Sequence, residues 1–333
     1  MDTATHVVMG FGLAGLAHLD PAVAAVPGLA EAVMLGTVIG SQAPDLDGFT
    51  RFLGSAAYIR NHRGKSHSIP AIFIWTLLIF ASVQWLAPEA LWLHVLGWTF
   101  LAVFLHVFVD LFNSYGTQGL YPFSKRWVAL DTIFIFDSVI FAAHLLGLGL
   151  WLAGADPGRI FLYLYLGIAC YYVWRYRVHK RVKQTAEQAL QMKGSYWLIP
   201  THSWNQWTLI VKTATHWHVG EMNGNEPIIF DTFVIKPESE LVRIAKTDKK
   251  VQSLLHFTSF AIPLVKEHDF GYEVKWIDLR YRSRFGGKSH YMFVAVVYLD
   301  KQLAIRDSFV GWIHRGEYQL TKKLDPEKGT QLQ

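Results

Sequence analysis

Charged residues are scarce in this sequence. Asp, Glu, Lys and Arg make up 17% of its 333 residues, against about 25% in an ordinary soluble domain. Apolar residues reach 52% and aromatic residues 15%, and the mean hydropathy is +0.21. This composition lies outside that of a typical soluble protein. The sequence therefore predicts a membrane protein. A chain of this length is long enough for two domains.

Cysteine is almost absent. The one cysteine, Cys170, lies inside an apolar run, which excludes a disulfide framework and a metal site built from thiolates. The N-terminal residues MDTATHVV contain no basic segment, and no small-residue cleavage motif follows a clean apolar core. The N-terminus therefore does not have the pattern of a secretory signal peptide.

The formal net charge is +5, and the position of the basic residues decides what it means. They cluster in loops beside apolar segments and directly after the last of these segments, as Arg175, Arg177, Lys180, Arg181 and Lys183. Lys and Arg favour the cytoplasmic side of a membrane, and this distribution fits membrane topology better than nucleic-acid binding. We therefore expect no nucleic-acid partner.

The first half of the chain is a series of apolar segments. They cover residues 7–19, 22–43, 69–87, 91–112, 132–153 and about 159–174. A membrane-spanning helix needs about 20 apolar residues, so the first two segments are a short hairpin that either crosses or does not. Counting back from the basic exit after residue 174 places the polar loops 41–68 and 113–131 on the cytoplasmic side. The pattern predicts a multi-pass membrane protein with its C-terminal part in the cytoplasm.

The second half changes character. Residues 176–194 read as a basic, exposed linker helix, and from Tyr196 onward short runs alternate between apolar and polar residues. Asn223-Gly224-Asn225 and Gly286-Gly287 indicate turns, and one helix is expected near 246–256. We predict an α-helical polytopic membrane domain over 1–175, the linker helix, and a β-rich (α+β) soluble domain over 195–333.

The polar loop 41–68 carries most of the residues that chemistry could use. It contains Asp45, Asp47, His62 and His67, which are metal-ligand types, and the cations Arg51, Arg60, Arg63 and Lys65. Ionisable residues next to a bilayer are rare and usually functional. The loop therefore predicts a metal site that acts on an anionic substrate.

Further ligand types lie outside this loop. His106 and Asp110 are four residues apart in an apolar helix and so share one face. His6 begins the first apolar segment, and Asp131 and Asp137 lie at the entrance of a later one as ligands or as acceptors for ligating histidines. The metal ligands predicted are His6, Asp45, His62, His67, His106, Asp110 and Asp131. Imidazole and carboxylate without sulfur suit zinc, with manganese or iron as alternatives.

Simpler interpretations exist for each residue alone. A single His or Asp at a helix end is commonly a capping residue, Asp45 after Pro44 can begin a turn, and Arg60, Arg63 and Lys65 can serve only to orient the chain. However, an unpaired carboxylate inside an apolar helix is costly, which applies to Asp110. Convergence of several such residues on one face favours the metal site.

These motifs together resemble a known family. An early His6, the turn Pro44-Asp45-Leu46-Asp47, the run from His62 to Ser68, the pair His106 and Asp110, and Pro122-Phe123 followed by Trp127 and Asp131 occur in the order found in the YdjM family. Its members are described as inner-membrane, metal-dependent hydrolases, sometimes as LexA-binding, so the resemblance implies the bacterial inner membrane as the location. The resemblance covers about residues 1–155, and the β-rich tail looks like the extension of a longer, two-part subgroup.

The order of His and Asp residues is also similar to that of zinc-dependent phospholipase C. By that analogy the ligand positions are His6, Asp45, His62 or His67, His106 and Asp110, with Asp110 as a bridge between ions. The chain lacks the further His-rich helix with a Glu, for which Asp131 and Asp137 would have to substitute. The analogy implies hydrolysis of a phosphoester.

The sequence therefore leads to two hypotheses of different classes. In the first, a hydrolase acts on a phosphoester or other anionic substrate, possibly linked to membrane lipid, at the cytoplasmic face. Asp45 or Asp47 would accept the proton of metal-bound water, and Arg63 and Lys65 would offset phosphate charge. In the second, a non-catalytic membrane anchor with a structural metal, or none, presents its soluble half to a cytosolic protein partner. A transporter is disfavoured, because no paired interrupted spans occur in two matching halves.

Overall fold

A computed structural model describes residues 1–285, 288–313 and 324. The chain forms two compact units, each assembled from several segments. The helical unit comprises Met1–Gly48, His62–Gln184 and Ile199–Gln206, and the β-rich unit comprises Phe49–Asn61, Thr185–Leu198 and the chain from Trp207 onward. The predicted turn at Gly286-Gly287 lies outside the described residues.

Eight helices occur in the first 190 residues. They are α1 (Thr3–Leu16), α2 (Pro21–Ala25), α3 (Leu29–Gly40), α4 (Ser55–Asn61), α5 (Ile69–Leu86), α6 (Trp92–Asp110), α7 (Ser138–Leu152) and α8 (Pro157–Leu190), with 3₁₀ segments at Ala17–Leu19, Ala43–Leu53 and Lys65–His67. Several begin at a side-chain cap, because the first N–H groups of a helix have no partner within it. Asp2 caps α1, Ser68 caps α5 and Asp137 caps α7.

Glycines allow three of these helices to lie close together. The Cα of Gly10 on α1 faces Val38 and Ser41 at the end of α3, and Gly36 and Gly40 on α3 face Thr99 and Ala102 on α6. A Cβ at any of these glycines would meet an atom of the neighbouring helix at 3.2 Å or less. Small residues of this kind bring helix backbones into close contact. The end of α3 is therefore held between α1 and the middle of α6.

Two of the predicted membrane spans correspond to helices with the length and composition of a membrane-spanning helix. α5 and α6, at 18 and 19 residues, are long and apolar enough to cross a membrane, while Thr3–Leu19, Leu29–Gly40 and Ser138–Leu152 are shorter apolar helices. The apolar segment 132–153 becomes helical only at Ser138, since Asp137 caps the helix there. Residues 159–174 and the predicted linker helix form one continuous helix, α8, of 34 residues. The polytopic membrane domain, including the crossing of a membrane by α5 and α6, stays a prediction.

Among the described residues, the β-rich unit contains two four-stranded sheets and one antiparallel pair of strands. The strands are β1 (Ser195–Pro200), β2 (Gln206–Lys212), β3 (His216–Asn223), β4 (Glu226–Val234), β5 (Ala261–His268), β6 (Gly271–Asp278), β7 (Arg282–Phe285), β8 (Lys288–Tyr291), β9 (Phe293–Asp300) and β10 (Ile305–Trp312). Their order is β1-β2-β3-β4 in one sheet and β10-β9-β6-β5 in the other, with β7 and β8 paired. The predicted turn at Asn223-Gly224-Asn225 joins β3 to β4.

Helices cover part of the second sheet. The single helix expected near 246–256 is two helices, α9 (Glu240–Ala245) and α10 (Lys249–Phe257), because Asp248 caps a new helix there. α10 packs against β9, β10 and α4. The prediction of a β-rich (α+β) second half is therefore confirmed, but the unit also contains residues 49–61 from the polar loop of the first half.

Candidate metal centre

The candidate site forms where the polar loop meets the ends of two helices. Asp45 and Asp47 lie on the 3₁₀ segment that follows α3, and His67 ends the short 3₁₀ segment that precedes α5. His106 and Asp110 lie on the last turns of α6. Since α3 and α6 are in close contact, these positions converge although they span 66 residues of sequence.

Four side chains bring potential ligand atoms together. One atom each of Asp45, His67, His106 and Asp110 lies within 4.8 Å of the other three. His67 Nε2 lies 3.3 Å from His106 Nε2, 3.4 Å from Asp45 Oδ1 and 3.4 Å from Asp110 Oδ2. His67, His106 and Asp110 are fully buried, while Asp45 is partly exposed. The spatial convergence predicted from the sequence is present.

Hydrogen bonds on the far side of each imidazole decide where its lone pair points. His106 Nδ1 lies 2.6 Å from the carbonyl oxygen of Ser41, which can only accept, so the Nδ1 atom carries the hydrogen. The Ser66 hydroxyl donates to Asp47, so its oxygen accepts the hydrogen of His67 Nδ1 at 3.0 Å. In the neutral imidazoles both Nε2 lone pairs therefore point at each other and at the two carboxylates.

Such an arrangement of acceptors is unfavourable without a cation. Asp45 Oδ1 and Asp110 Oδ2 are buried and have no hydrogen-bond partner among the described residues, and a buried carboxylate oxygen without a partner is costly. A divalent cation would satisfy both oxygens and both lone pairs. Metal-bound histidines typically donate the hydrogen of their other ring nitrogen to an acceptor, as His67 and His106 do here. The residues therefore fit a metal ion of the zinc type, with nitrogen and oxygen ligands.

The ionisation states at the site also suit a metal ion. Burial by itself raises the pKa of Asp45, but the neighbouring His106 and His67 rings and the charge of Arg63 outweigh it and hold this pKa well below its usual value. Burial lowers the pKa of His67 to about 4, against the opposing effect of Asp45. At neutral pH Asp45 is therefore ionised and His67 is neutral, which are the forms that bind metals.

A second group of ligand types adjoins the first. Asp45, Asp47 and His62 also bring ligand atoms within 4.8 Å of one another. His62 Nδ1 lies 2.6 Å from Asp47 Oδ1, while Asp47 Oδ2 accepts the backbone N–H of Arg63 at 2.8 Å and the hydroxyl hydrogen of Ser66. Burial raises and these hydrogen bonds lower the pKa of Asp47, with a net decrease. Asp47 thus organises the loop as well as bordering the site.

His6 and the chain terminus lie against the other side of the cluster. The His6 ring stacks on His106 at a centroid distance of 3.7 Å, and its Nε2 lies 3.3 Å from Asp110 Oδ1. The amino group of Met1 contacts both His6 Nε2, at 3.0 Å, and Asp110. His6 therefore borders the four-residue group without belonging to it.

The two predicted phosphate-binding cations lie in different environments. Arg63 is buried and donates to Asn113 Oδ1 at 3.1 Å and to the Met1 carbonyl at 2.5 Å, with Asp110 at 3.3 Å. Its backbone φ of 59° is unusual for a residue other than glycine. Lys65 is exposed, with its amino group 5.8 Å from the centre of the Tyr121 ring. Arg63 is thus placed to hold Asp110 and the N-terminus, whereas Lys65 can meet a ligand.

Asp131 and Asp137 do not join the site. Asp131 has a φ of 51° and lies in neither of the two groups that the described residues form. Asp137 accepts N–H groups at the start of α7 and the hydroxyl hydrogen of Tyr171 at 2.7 Å. The geometry therefore does not support the prediction of Asp131 as a ligand.

Sequence reasoning also missed residues that shape the site. Ser66 links Asp47 to His67, the Ser41 carbonyl fixes the His106 ring, and Asn113 holds Arg63. The position of Ser66 directly before His67 was a signal for its role. A backbone carbonyl such as that of Ser41 leaves no signal in the sequence, because every residue has one.

The comparisons with known proteins define the class. Residues 1–182 match the family described as "YdjM inner membrane protein", and the chain belongs to that family. Residues 197–233 match the YfhP middle domain, and residues 240–324 match the YfhP C-terminal alpha/beta plait domain. The predicted family and its two-part organisation are therefore confirmed.

One relative shares the whole arrangement. The chain is 45% identical over 330 residues to the "Uncharacterized protein YfhP" of Bacillus subtilis (strain 168), an alignment that covers 97% of this chain and 98% of that relative. No solved structure matches the chain. The two-part organisation is thus common to both proteins from end to end.

Proposed function

We propose that this protein is a membrane-embedded, metal-dependent hydrolase that acts on a phosphoester or similar anionic substrate at the cytoplasmic face. A zinc ion, or alternatively manganese or iron, would be held by Asp45, His67, His106 and Asp110. The observation that carries the proposal is the pair of Nε2 atoms 3.3 Å apart between two buried carboxylate oxygens without hydrogen-bond partners among the described residues.

The chemistry follows from the residue types around the pair. A bound divalent ion lowers the pKa of a coordinated water towards about 7 and polarises the scissile group. Asp45 belongs to both groups of ligand types and is partly exposed, so it is placed to accept a proton beside the ion. Asp47 already accepts three hydrogen bonds; its proposed part is therefore to orient His62, Ser66 and Arg63.

The substrate class rests on access and charge. Among the ligand types of the two groups, Asp45, Asp47 and His62 are the ones with some exposure, so a substrate would approach past them. Lys65, exposed two residues before His67, would offset phosphate charge. Membership of an inner-membrane family supports a substrate linked to membrane lipid, because such a substrate is held at the headgroup level.

Element analysis of the purified protein, without a histidine tag, tests the metal. We expect about one equivalent or more of zinc or manganese in the natural protein, and its loss in the double variant His106→Ala with Asp110→Ala. His94→Ala is the matched control, because His94 lies on the same helix but bonds to Asp20 at 2.6 Å. Unchanged metal content in the double variant would refute the assignment.

The four-residue group favours a second candidate function as well. Four protein ligands can close the coordination of zinc, as in structural sites, and catalytic sites keep an open position. The protein would then be a membrane anchor whose β-rich unit binds a cytosolic partner. X-ray absorption of the zinc-loaded protein separates the two, because hydrolysis requires at least one non-protein oxygen on the ion and a structural site has none.

A further inference from the structure

A large groove lies in the β-rich unit, at the edges of its two sheets. Its volume is about 960 Å³, and it is lined by residues of β4, β5 and the segment after β4. Trp217 and Trp276 contribute indole rings to its wall, and both are almost fully buried. The groove therefore combines an aromatic wall with strand edges at its rim.

Both flanking strands are edge strands within the described part of the chain. β4 is the last strand of one sheet, and β5 is the last strand of the other. All five residues of β5 from Pro263 to Glu267 are exposed, so neither face of that strand is covered along this stretch. An edge strand presents N–H and C=O groups in the spacing that a further strand requires.

Exposed apolar side chains mark the same edges. Val234 is 58% exposed and Ile235 37% exposed at the end of β4, and Leu264 and Val265 on β5 are 38% and 46% exposed. All four line the groove. Natural proteins usually protect such edges with charge or cover them, and contiguous exposed apolar residues mark interaction sites.

The charge of the lining is positive. Three lysines, Lys212, Lys236 and Lys246, and one carboxylate, Glu238, line the groove. Glu238 pairs with Lys246 at 3.0 Å, and Lys212 lies 4.8 Å from the centre of the Trp217 ring. A ligand with acidic groups is therefore complementary to this groove, whereas a basic one is not.

We propose that the groove binds an extended peptide segment with alternating apolar and acidic side chains, which adds to the edge of β5 as a further strand. Main-chain hydrogen bonds to Leu264–Glu267 provide affinity, and alternate side chains enter the groove towards Trp217 and Trp276. This is the strand-addition mode of peptide recognition. The lysines select acidic side chains at the rim.

The test uses the full chain in lipid nanodiscs and a fluorescent peptide as long as β5 that alternates glutamate and valine. We expect saturable binding, measured by anisotropy, that weakens about tenfold in Val265→Gln, because an apolar contact at the edge is lost. Ile305→Gln is the matched control, since Ile305 is 39% exposed on β10, the opposite edge of the same sheet. Its affinity should be unchanged.

Two further arms examine the mode of binding. N-methylation of alternate peptide amides removes main-chain donors and should abolish binding, because strand pairing depends on them. Lys212→Glu should weaken binding of the acidic peptide and strengthen binding of a peptide that has lysine in place of glutamate. Absence of saturable binding, or equal binding of the N-methylated peptide, would overturn the proposal. So would self-association that Val265→Gln abolishes, since the edge would then belong to a second copy.

Discussion

The orientation of two imidazoles is the decisive feature at the scale of single residues. His67 and His106 each place one ring nitrogen against an acceptor, Ser66 and the Ser41 carbonyl, and so present the other to the cluster. The imidazoles converge there with the carboxylates of Asp45 and Asp110, which are the ligand types that the sequence predicts, and their role in holding a metal stays a prediction. Which nitrogen faces the cluster depends on contacts that no spacing in the sequence reveals.

Ser66 provides a prediction about metal affinity. Ser66→Ala removes the acceptor of the His67 Nδ1 hydrogen, so the ring loses its orientation. Loss of a hydrogen-bond partner that orients a metal-bound histidine typically weakens metal binding about 10- to 100-fold. Competition with a chelator measures this, and Ser82→Ala serves as control because the Ser82 hydroxyl donates to the Leu78 carbonyl of its own helix, α5. An affinity equal to that of the natural protein in Ser66→Ala would contradict the proposed orientation.

The pKa of His67 provides a prediction about acid stability of the metal-free protein. Its pKa is lowered from 6.5 to about 4, chiefly by burial. Between these pH values the unfolded chain binds a proton that the folded protein does not, so stability falls as pH falls through this range. The loss is on the order of 3 kcal/mol by pH 4.

The same measurement on His67→Gln isolates this contribution. Unfolding followed at several pH values should show a shallower decrease between pH 6.5 and 4 in the variant, because glutamine does not titrate. The lowered pKa of Asp45 adds a further loss only below its ordinary value of 3.8. Identical pH profiles for both proteins would show that His67 is not buried in its neutral form.

At the scale of elements, close packing of α1, α3 and α6 is what assembles the site. The helices α5 and α6 were predicted within a few residues of their ends, since long apolar runs are a strong local signal. The sequence does not predict the division into α9 and α10 or the late start of α7. Asp248 caps the start of α10 and Asp137 caps the start of α7, and each cap lies inside a stretch whose apolar pattern is continuous.

Glycine positions test this packing. A Cβ at Gly10 would lie 2.8 Å from the Cα of Val38 and 2.5 Å from Ser41 Oγ, and the backbone of α3 cannot move aside easily. We expect Gly10→Ala to destabilise the protein by about 1 to 3 kcal/mol and to weaken metal binding through Ser41. Gly97→Ala on α6 is the control, because nothing lies within 4 Å of its added Cβ.

Thermal unfolding in detergent measures both glycine variants. Gly97→Ala should be neutral or should stabilise α6 by about 0.5 to 1 kcal/mol, since alanine loses less backbone entropy than glycine in a helix. Equal effects of the two substitutions would show that helix propensity, and not contact between α1 and α3, decides the stability.

At the scale of the whole molecule, each of the two compact units is built from several segments of the chain, so no single boundary in the sequence separates them. Residues 49–61 belong to the β-rich unit although they lie between α3 and α5 in sequence. Within that unit α4 packs against α10 and β10, and Ile59 is buried. The boundaries expected from composition, at 175 and 195, mark where apolar helical segments give way to alternating β-type runs. They do not mark which segments pack together.

A substitution at Ile59 tests whether residues 49–61 belong to the β-rich unit. Ile59→Ala leaves a cavity in the contact with α10, which costs about 2 to 4 kcal/mol. Hydrogen exchange should then be faster in α10 and unchanged in α5 and α6. Phe52→Ala is the control, because Phe52 is 86% exposed and its loss leaves no cavity. Uniform acceleration across all helices would show that residues 49–61 do not belong to the β-rich unit alone.

The sequence by itself determined the apolar helices, the alternation of the β-rich half, the family and the residue types of the site. These features depend on local periodicity, composition and short motifs, so they do not depend on which distant segments pack against them. The tertiary structure alone decided that Arg63 is buried beside Asp110, that Asp137 caps α7, and that α4 joins the β-rich unit. Each of these depends on contacts between segments far apart in sequence, where helix packing and burial outweigh local preference.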